Sequence, residues 1–571
     1  MRKLRPDSRQ RPLKSAAKSA APLEGFVPWP PEFAETYRRK GYWKGKTFGE
    51  SLNDWAARYG ERIAVVSGDV RISYRELRER ADSVAVSLAA LGIAPRDRVV
   101  IQLHNVPEFF YIAFALFKIG ALPVMALPAH RETEIRYLIE FSEAVAYCSP
   151  LTFRGFDYVG MVRSIAPTTP TLKHILVVGP DAPPGTVSIE AMAQRAPANA
   201  TDVLSRYRPK ASDVAMFLLS GGTTGLPKLI ARTHDDYIYN FESSPAVCGV
   251  NADTVYLIAL PISHNFPLVA PGSLGTFSAG GKVILASSPS PEAAFPVVER
   301  ERVTMSGQVP AVTIQWLDSP LREKYDLSSL KVLQVGGSRL NAEVARRVKP
   351  LLGATVQQVF GMAEGFVCYT RLDDPEEVLF NTQGRPMSPD DEILVVGWDG
   401  KPVAPGERGE LLTRGPYTIR GYYKAPEHNA RAFTPDGFYR TGDVVRLTPS
   451  GYISVEGRVK DLINRGGEKI AAEELENLIV GHPSVQNVAV IAMPDPVLGE
   501  KICAYVIPQP GQSLDLEALR AFLETAKIAR FKLPERLELV ERFPLTSVGK
   551  ISKKSLREDI AAKLRAEGKI P

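Results

Sequence analysis

Short apolar runs alternate with stretches of helical periodicity over roughly the first 380 residues of the chain. The runs of strand length are 98–103, 121–125, 144–148, 174–178, 254–260, 282–285, 332–335 and 355–360. Strands that alternate with helices form a mainly parallel sheet with helices on both faces. This pattern predicts an α/β fold. Because 571 residues are too many for one core, we expect several subdomains.

Two segments indicate where helices begin and end. Ser73 and Glu76 have the spacing of a capping box, which predicts a helix from there to Gly92. The apolar stretch 109–126 is broken by a lysine, a glycine and a proline. It is therefore predicted to be a buried helix followed by a strand, and no apolar run of about 18 residues indicates a transmembrane helix.

The pattern changes after about residue 380, where short strands and turn residues dominate. We interpret this part as a small β-rich subdomain. From about residue 459 helices and strands mix again in a compact unit. The predicted organisation is a basic tail at 1–24, a large N-terminal α/β domain at 25–458 and a small α+β C-terminal domain at 459–571.

The basic charge is confined to the beginning of the chain. The formal net charge is +6, from 70 basic and 64 acidic residues, and residues 1–20 hold seven of the basic and one of the acidic ones. We therefore expect a solvated, disordered tail on a neutral body that binds neither nucleic acid nor membrane. A targeting or nucleic-acid-binding arm is the alternative for the tail. It lacks the apolar core of a signal peptide, and its acid-poor composition also fits an organellar transit peptide.

The cysteines indicate no metal site and no disulfide framework. They lie 100 or more residues apart, without a C-x-x-C pair, at Cys148, Cys248, Cys368 and Cys503. Buried free thiols in a reducing cytoplasm are expected.

A glycine-rich segment follows the apolar run 214–219. Its candidate phosphate-binding residues are Ser220, Gly221, Thr223, Thr224 and Lys228. Glycines let backbone N–H groups approach phosphates, and the hydroxyl groups add donors. The segment is not a Walker A loop, because Lys228 follows a proline and precedes no serine or threonine. On chemistry alone, a phosphate loop and a plain glycine-rich turn both stay open.

Two carboxylates have the setting of ligand-binding groups. Glu364 follows the run 356–360, where it can bind a ligand or Mg²⁺, although a glutamate at a helix start gives the same pattern. Asp443, with Arg458 fifteen residues later, can hold a ribose and a phosphate. A hairpin that carries a surface ion pair is the alternative for that second pair.

Two further segments lie in the predicted C-terminal domain. Residues 464–470 contain two glycines and a lysine, and alone they favour a turn before a helix. Lys550 follows a glycine close to the C-terminus, near Lys553 and Lys554, where a solvated basic patch is the ordinary interpretation.

The order and spacing of these segments together are distinctive. They resemble the adenylate-forming superfamily of acyl-CoA synthetases, peptide-synthetase adenylation domains and luciferases, from about residue 25 to about residue 560. The segments 359–365, 414–423 and 465–474, together with 264–266 ahead of 271–272, are most similar to the aryl-acid branch. Within that branch they resemble the 2,3-dihydroxybenzoate–AMP ligases of siderophore assembly.

This resemblance implies a first half-reaction in which an aryl carboxylate attacks the α-phosphate of Mg·ATP and releases pyrophosphate. Catalysis would consist mainly of positioning and charge neutralisation. Lys550 would bridge the carboxylate and the α-phosphate. The remaining implied contacts are Ser220, Gly221, Thr223, Thr224 and Lys228 over the phosphates, Glu364 on Mg²⁺, Asp443 and Arg458 on the ribose or phosphate, and Gly337 and Val359 beside the adenine.

The resemblance also implies a second half-reaction that passes the acyl group to a thiol. In this family the small C-terminal domain rotates between the two steps, and Lys460 occupies the hinge position. The rotation would withdraw Lys550 and bring up a loop that lines a pantetheine channel, with Gly466, Gly467 and Lys469. The implied partner is a phosphopantetheinyl aryl carrier protein, or free CoA.

The acid pocket is implied at His264, Asn265, Phe266, Ala270, Gly337 and Ala363, and the catalytic candidates are Lys550, Glu364 and His264. Asn265 would hydrogen-bond a 2-hydroxyl. Phe266 stands where tyrosine is frequent, and Ala270 stands where a serine usually faces a 3-hydroxyl. Because a buried hydroxyl without a partner is costly, we expect salicylate to be used at least comparably to 2,3-dihydroxybenzoate.

The sequence therefore predicts a cytoplasmic aryl-acid–AMP ligase that uses ATP and Mg²⁺ and charges a carrier protein. An aryl-CoA ligase with free CoA as acceptor is the nearest alternative. A catalytically silent nucleotide-binding or scaffold protein on the same fold is an alternative of another class. The joint presence of Glu364, Asp443, Arg458 and Lys550 argues against that second alternative.

Overall fold

The computed structural model describes residues 21–179, 181–195, 197, 199–220, 227–466, 468–526, 528–546 and 549–570. The predictions for the tail at 1–20, for Gly221, Thr223, Thr224 and Gly467, and for the Lys469 side chain lie outside the described part of the chain.

The strands of the described residues fall into four larger sheets and one short hairpin. In chain order they are β1 Ile63–Ser67, β2 Val70–Ser73, β3 Arg98–Ile101, β4 Leu122–Met125, β5 Ala146–Pro150, β6 Thr152–Phe153, β7 Phe156–Asp157, β8 His174–Val178, β9 Val187–Ser188, β10 Val214–Leu219, β11 Leu229–Thr233, β12 Val255–Ile258, β13 Lys282–Leu285, β14 Met305–Gln308, β15 Val332–Gly336, β16 Thr355–Met362, β17 Gly365–Tyr369, β18 Arg385–Pro386, β19 Glu392–Val396, β20 Arg408–Arg414, β21 Tyr439–Leu447, β22 Ile453–Arg458, β23 Leu462–Arg465, β24 Glu468–Ala471, β25 Val485–Asp495, β26 Gly499–Pro508 and β27 Arg536–Leu539.

Helices connect most of these strands. In chain order they are α1 Pro31–Arg39, α2 Phe48–Tyr59, α3 Tyr74–Ala90, α4 Glu108–Ile119, α5 Glu132–Ser142, α6 Tyr158–Ile165, α7 Ile189–Gln194, α8 Ala200–Leu204, α9 His234–Cys248, α10 Asn265–Val269, α11 Gly272–Ser278, α12 Pro291–Glu301, α13 Pro310–Asp318, α14 Ala342–Leu352, α15 Glu376–Asn381, α16 Pro426–Ala432, α17 Ala472–Ile479, α18 Leu516–Thr525 and α19 Lys553–Ala566. Among the described residues, no helix is both long and apolar enough to cross a membrane.

Two mixed, mainly parallel sheets form the large part of the protein. One has nine strands in the order β18-β17-β16-β15-β14-β12-β13-β1-β2, and the other has seven in the order β11-β10-β4-β3-β5-β8-β9. Their central neighbours pair in parallel, whereas β2, β11, β17 and β18 join in antiparallel register. The predicted α/β class is therefore confirmed.

One hydrophobic core joins the two sheets. It contains Val99 and Met216 from the seven-stranded sheet and Tyr256 and Val283 from the nine-stranded one. Helix α4 belongs to this core and is buried along nearly its whole length. This burial explains the apolar run that the sequence shows at 109–126, and it confirms the prediction of a buried helix followed by a strand.

Two smaller sheets follow in the chain. Strands β19 to β22 form a four-stranded antiparallel sheet where the sequence predicts a β-rich subdomain, and β23 to β27 form a five-stranded sheet with α17, α18 and α19 nearby. The predicted domain boundary falls between β22 and the 3₁₀ turn Val459–Asp461. The division into domains at that turn stays a prediction.

Several local signals in the sequence are confirmed by the structure. The capping box is present, because the Ser73 side chain accepts from the Glu76 N–H and the Glu76 side chain accepts from the Ser73 N–H. All four cysteines are free and buried, as expected. The sequence did not indicate β14, whose residues are polar or small except for Met305 although the strand is completely buried.

Candidate active site

A cavity of about 1130 Å³ opens between the nine-stranded sheet, the four-stranded sheet and the C-terminal unit. The candidate residues that line it are Ser220, Lys228, His264, Asn265, Phe266, Ala270, Gly337, Val359, Ala363, Glu364, Asp443, Arg458, Lys460 and Lys550. Residues far apart in the sequence are thus brought to one site. Gly466 is a described candidate outside this lining, and its N–H donates to the Leu498 carbonyl at 2.9 Å.

The described ends of the glycine-rich segment meet at the cavity. The Ser220 N–H donates to the Lys228 carbonyl, and the Lys228 N–H donates to Ser220 Oγ, both at 3.0 Å. These bonds continue the antiparallel pairing of β10 and β11. Lys228 Nζ lies 5.9 Å from the ring centroid of Tyr422. Both described ends of the segment, Ser220 and Lys228, therefore lie at the cavity.

Glu364 lies in the turn between the antiparallel strands β16 and β17, not at the start of a helix. The side chain is buried, and the Tyr422 hydroxyl donates to its Oε1 at 2.7 Å. The Tyr422 hydroxyl also bonds the Tyr439 hydroxyl at 2.9 Å. The Glu364 carbonyl accepts from the Ile419 N–H at 2.8 Å. Backbone and side chain are both held, so the carboxylate has a fixed position in the cavity.

Asp443 and Arg458 are opposite each other on the paired strands β21 and β22. Arg458 Nε lies 2.9 Å from Asp443 Oδ1. The alternative of a surface ion pair is wrong for the aspartate, because Asp443 is 3% exposed whereas the Arg458 side chain is 46% exposed. Burial raises the pKa of Asp443, and that carboxylate in turn raises the pKa of Arg458.

Lys550 reaches into the cavity beside Gly337. The φ of Gly337 is +86°, which favours glycine, and a Cβ there would lie 3.0 Å from Lys550 Cε, so the lysine side chain runs close along this backbone. The pKa of Lys550 is lowered to about 8, mainly by burial and also by the charges of Arg458 and Lys460, whereas Asp443 and Glu364 oppose the change. The ammonium group is therefore placed where an anion would stabilise it.

His264, Asn265, Phe266 and Ala270 lie on or next to the short helix α10, and we call the space they border the α10 pocket. His264 caps α10, because its Nδ1 accepts from the Phe266 N–H at 3.2 Å. Burial, together with the Lys550 charge, lowers the pKa of His264 to about 3. The imidazole is thus neutral at physiological pH. The catalytic role that the resemblance implies for it stays a prediction.

The Phe266 ring of the α10 pocket packs against glycines of the nine-stranded sheet. A Cβ on Gly307 or Gly336, at the ends of β14 and β15, would lie 3.4 or 3.3 Å from Phe266 Cζ. Glycines therefore leave room for the Phe266 ring at the carboxyl edge of the parallel strands, which is where such sheets bind ligands.

Comparison with known proteins agrees with this geometry. The family described as "AMP-binding enzyme" matches residues 52–423, and the "AMP-binding enzyme C-terminal domain" matches residues 474–550.

The chain belongs to the AMP-binding enzyme family.

Its relatives within that family extend over nearly the whole chain. A 2,3-dihydroxybenzoate-AMP ligase of Bacillus subtilis (strain 168) is 56% identical over 546 residues, which cover 95% of this chain and 99% of the relative. A salicylyl-CoA synthase / salicylate adenylyltransferase of a Streptomyces species is 53% identical over 543 residues, 95% of this chain and 98% of the relative. The apo structure of MbtA from Mycobacterium smegmatis has a TM-score of 0.72 at 44% identity and covers 94% of this chain and 98% of that one. The resemblance inferred from the sequence is confirmed.

One buried network of this AMP-binding enzyme was missed by sequence reasoning. Arg232, completely buried on β11, pairs with Asp236 at 2.7 Å and donates to the carbonyls of Ala363 and Tyr417, both at 2.8 Å. It thereby holds the carbonyl just before Glu364 and the segment at Tyr417, which packs against Gly365. The available signal was an arginine that follows three apolar residues of the strand and precedes an aspartate by four residues, and a buried charge needs such a partner.

Proposed function

We propose that this AMP-binding enzyme activates an aryl carboxylic acid with ATP and then transfers the acyl group to the phosphopantetheine thiol of a carrier protein. The observation that carries the proposal is the position of Lys550. Its side chain shares one cavity with Glu364, with Asp443 and with the α10 pocket. A cation, a metal-binding carboxylate, a ribose acceptor and an acid pocket are the groups that adenylation of a carboxylate requires.

In the first step a carboxylate oxygen of the acid forms a bond to the α-phosphorus of ATP, and the bond from that phosphorus to the bridging oxygen breaks. Pyrophosphate leaves with the electron pair, so no proton has to move. Two anions must approach each other, and Lys550 offsets their repulsion at the point where they meet. The Asp443 carboxylate accepts hydrogen bonds from the ribose hydroxyls, and Arg458 contacts the ribose or phosphate.

Glu364 suits the Mg²⁺ ion that accompanies ATP. Its Oε1 accepts from Tyr422, and no described residue donates a hydrogen bond to Oε2. Among the described residues, no group of three or more His, Cys, Asp or Glu side chains could hold a metal alone. A single carboxylate combined with phosphate oxygens and water is the usual protein contribution to a Mg²⁺ site. When bound, Mg²⁺ supplies positive charge that stabilises the departing pyrophosphate.

The α10 pocket favours an acid with a planar ring and a 2-hydroxyl. Phe266 and Ala270 supply apolar walls, and Asn265 supplies an amide next to His264. The names of the two relatives, a 2,3-dihydroxybenzoate-AMP ligase and a salicylate adenylyltransferase, support this substrate class. Ala270 offers no hydrogen bond to a 3-hydroxyl, so salicylate stays a competitor of 2,3-dihydroxybenzoate.

For the second step, the thiol attacks the acyl carbon and AMP leaves. The arrangement with Lys550 inside the cavity and Gly466 outside it suits adenylation. We infer that residues 459–571 rotate about Lys460 between the two steps. The rotation would withdraw Lys550 from the cavity and bring the segment with Gly466 to it. Polar contacts cross this boundary, such as Asn341 Nδ2 to Asn477 Oδ1 at 3.3 Å and Arg408 to Glu474 at 3.1 Å, and such contacts can be exchanged for water when an interface opens.

The experiment that tests the proposal is ATP–pyrophosphate exchange with a panel of aryl acids, followed by an acceptor assay. We expect 2-hydroxybenzoates to support exchange and benzoate to support it poorly. CoA and a holo-carrier domain are then offered side by side, and we expect the carrier domain to accept the acyl group faster. A chain that supports no exchange with any aryl acid is instead a silent nucleotide-binding protein, and one that charges only CoA is an aryl-CoA ligase.

The pH dependence of exchange should report the charge of Lys550. Because its pKa is lowered to about 8, the side chain is charged below that pH and loses its charge above it. We expect kcat/KM for ATP to fall by about tenfold for each pH unit above 8, since this parameter reports the free enzyme. At saturation the fall should begin at a higher pH, because two bound anions stabilise the ammonium. In Lys550→Arg the alkaline fall should disappear, and a wild-type profile that is flat to about pH 9.5 would contradict this assignment.

A further inference from the structure

The orientation of the Asn265 amide is set from inside the protein. Tyr237 on α9 lies behind Asn265, and its hydroxyl donates to Asn265 Oδ1 at 2.6 Å. Tyr237 is completely buried, whereas Asn265 is half-buried and lines the cavity. Among the described residues, no other side chain bonds the Asn265 amide. Its carbonyl end is therefore occupied and its NH₂ end is available to a ligand.

The reverse orientation of the amide would leave a polar group without a partner. If the Asn265 NH₂ pointed at Tyr237, the phenolic O–H would have to donate elsewhere, and no described residue accepts from it. Burial also raises the pKa of Tyr237 well above its usual range, so the phenol keeps its proton and remains a donor. An unpaired buried O–H is costly, and that cost selects the orientation with NH₂ toward the cavity.

Tyr237 itself is held in place by the buried network around Arg232. The Arg232 guanidinium carbon lies 4.7 Å from the centroid of the Tyr237 ring, and Arg232 is fixed by Asp236 and by the Ala363 carbonyl. A cation over the face of a tyrosine is attractive, more so without water. The phenol has therefore little freedom to follow a rotation of the Asn265 amide.

We propose that Tyr237 is a positioning residue that makes Asn265 a hydrogen-bond donor, so that the pocket selects acids whose 2-substituent accepts a hydrogen bond. The inference rests on the proposed function and adds a rule for its substrate. A 2-hydroxyl group meets this requirement. The hydroxyl can donate to the neighbouring carboxylate of the acid while the hydroxyl oxygen accepts from the Asn265 NH₂. A 2-amino group does not, because its lone pair is delocalised into the ring and its hydrogens face those of the Asn265 amide. Anthranilate, 2-aminobenzoate, is thus rejected although its size and shape match salicylate.

The test compares salicylate, anthranilate and benzoate in pyrophosphate exchange. Wild-type enzyme should favour salicylate over anthranilate by at least about tenfold in kcat/KM, because sites built around a hydrogen bond reject analogues that cannot make it. In Tyr237→Phe the amide loses its fixed orientation, so this ratio should fall at least about fivefold. The KM for ATP should change by less than about threefold, since Tyr237 bonds Asn265 from behind and does not itself line the cavity.

Tyr239→Phe is the matched control. Tyr239 lies two residues further along α9, is also buried, and bonds Ser388 Oγ at 2.7 Å instead of the pocket. Tyr239→Phe also removes one buried phenolic hydroxyl, but it should leave the ratio of kcat/KM for salicylate to that for anthranilate unchanged. An unchanged ratio in Tyr237→Phe, or an equal fall in both variants, overturns the inference.

Asn265→Leu provides a second measurement that does not depend on Tyr237. Without the amide donor, the advantage of salicylate over benzoate should be lost, and if that advantage persists the inference is wrong. Failure of the proposed function looks different, since then no aryl acid supports exchange in the wild-type enzyme.

Discussion

Lys550→Ala should reduce ATP–pyrophosphate exchange by at least about 100-fold, the loss that follows removal of one group that stabilises transition-state charge. In the proposed reaction the ammonium of Lys550 is the cation between the acid carboxylate and the α-phosphate. Arg458 and Lys460 are near enough to lower the pKa of Lys550, but Arg458 is already paired with Asp443. The measurement is exchange at saturating acid and ATP.

The fold should survive this substitution. Lys550 is held by its backbone groups, since the Thr546 N–H donates to the Lys550 carbonyl at 2.7 Å and the Lys550 N–H donates to Thr546 Oγ1 at 3.1 Å. Lys569→Ala, which removes an exposed lysine from the same C-terminal unit, is the control and should retain full exchange. Exchange in Lys550→Ala within about threefold of wild type, roughly 0.7 kcal/mol, would remove Lys550 from the catalytic step.

The sequence predicted those parts of the fold whose signals are local. The capping box of α3 needs only Ser73 and Glu76, three residues apart, and the buried helix α4 is evident from one continuous apolar run. The sequence did not predict strand β14, because a central parallel strand is buried by its neighbours whatever its own composition. Here those neighbours are β12 and β15. Its serine, glycine and glutamine carried no strand signal that periodicity could detect.

The candidate site was predictable as a set of residue types but not as a set of contacts. Glu364 lines the cavity with the other candidate residues, and its role stays a prediction. Its place in a hairpin turn depends on β17 pairing back along β16, which the sequence did not indicate. The partners of Arg232 at Ala363 and Tyr417 lie 131 and 185 residues away along the chain, so no spacing rule reveals them. The neutral state of His264 likewise follows from burial and from Lys550, which only the folded chain brings near.

A substitution at the boundary turn Val459–Asp461 should affect the second proposed half-reaction and spare the first. Lys460→Pro should leave pyrophosphate exchange within about threefold of wild type and slow thioester formation on the order of 100-fold. Proline fixes φ near −65° and restricts the residue before it, here Val459, so the turn loses the freedom that a rotation requires. A restriction of about 3 kcal/mol corresponds to that loss in rate. Single-turnover transfer from preformed adenylate to a holo-carrier domain measures the second step alone.

Lys460→Ala separates the backbone effect from the side-chain effect. The alanine variant removes the same charge but keeps the φ freedom of the turn, so thioester formation should stay within about threefold of wild type. If both variants slow transfer equally, the ammonium group of Lys460 and not the hinge is responsible. If Lys460→Pro lowers exchange and transfer together, the substitution has displaced Lys550 from the cavity, and Lys460 is not the residue about which the C-terminal unit turns.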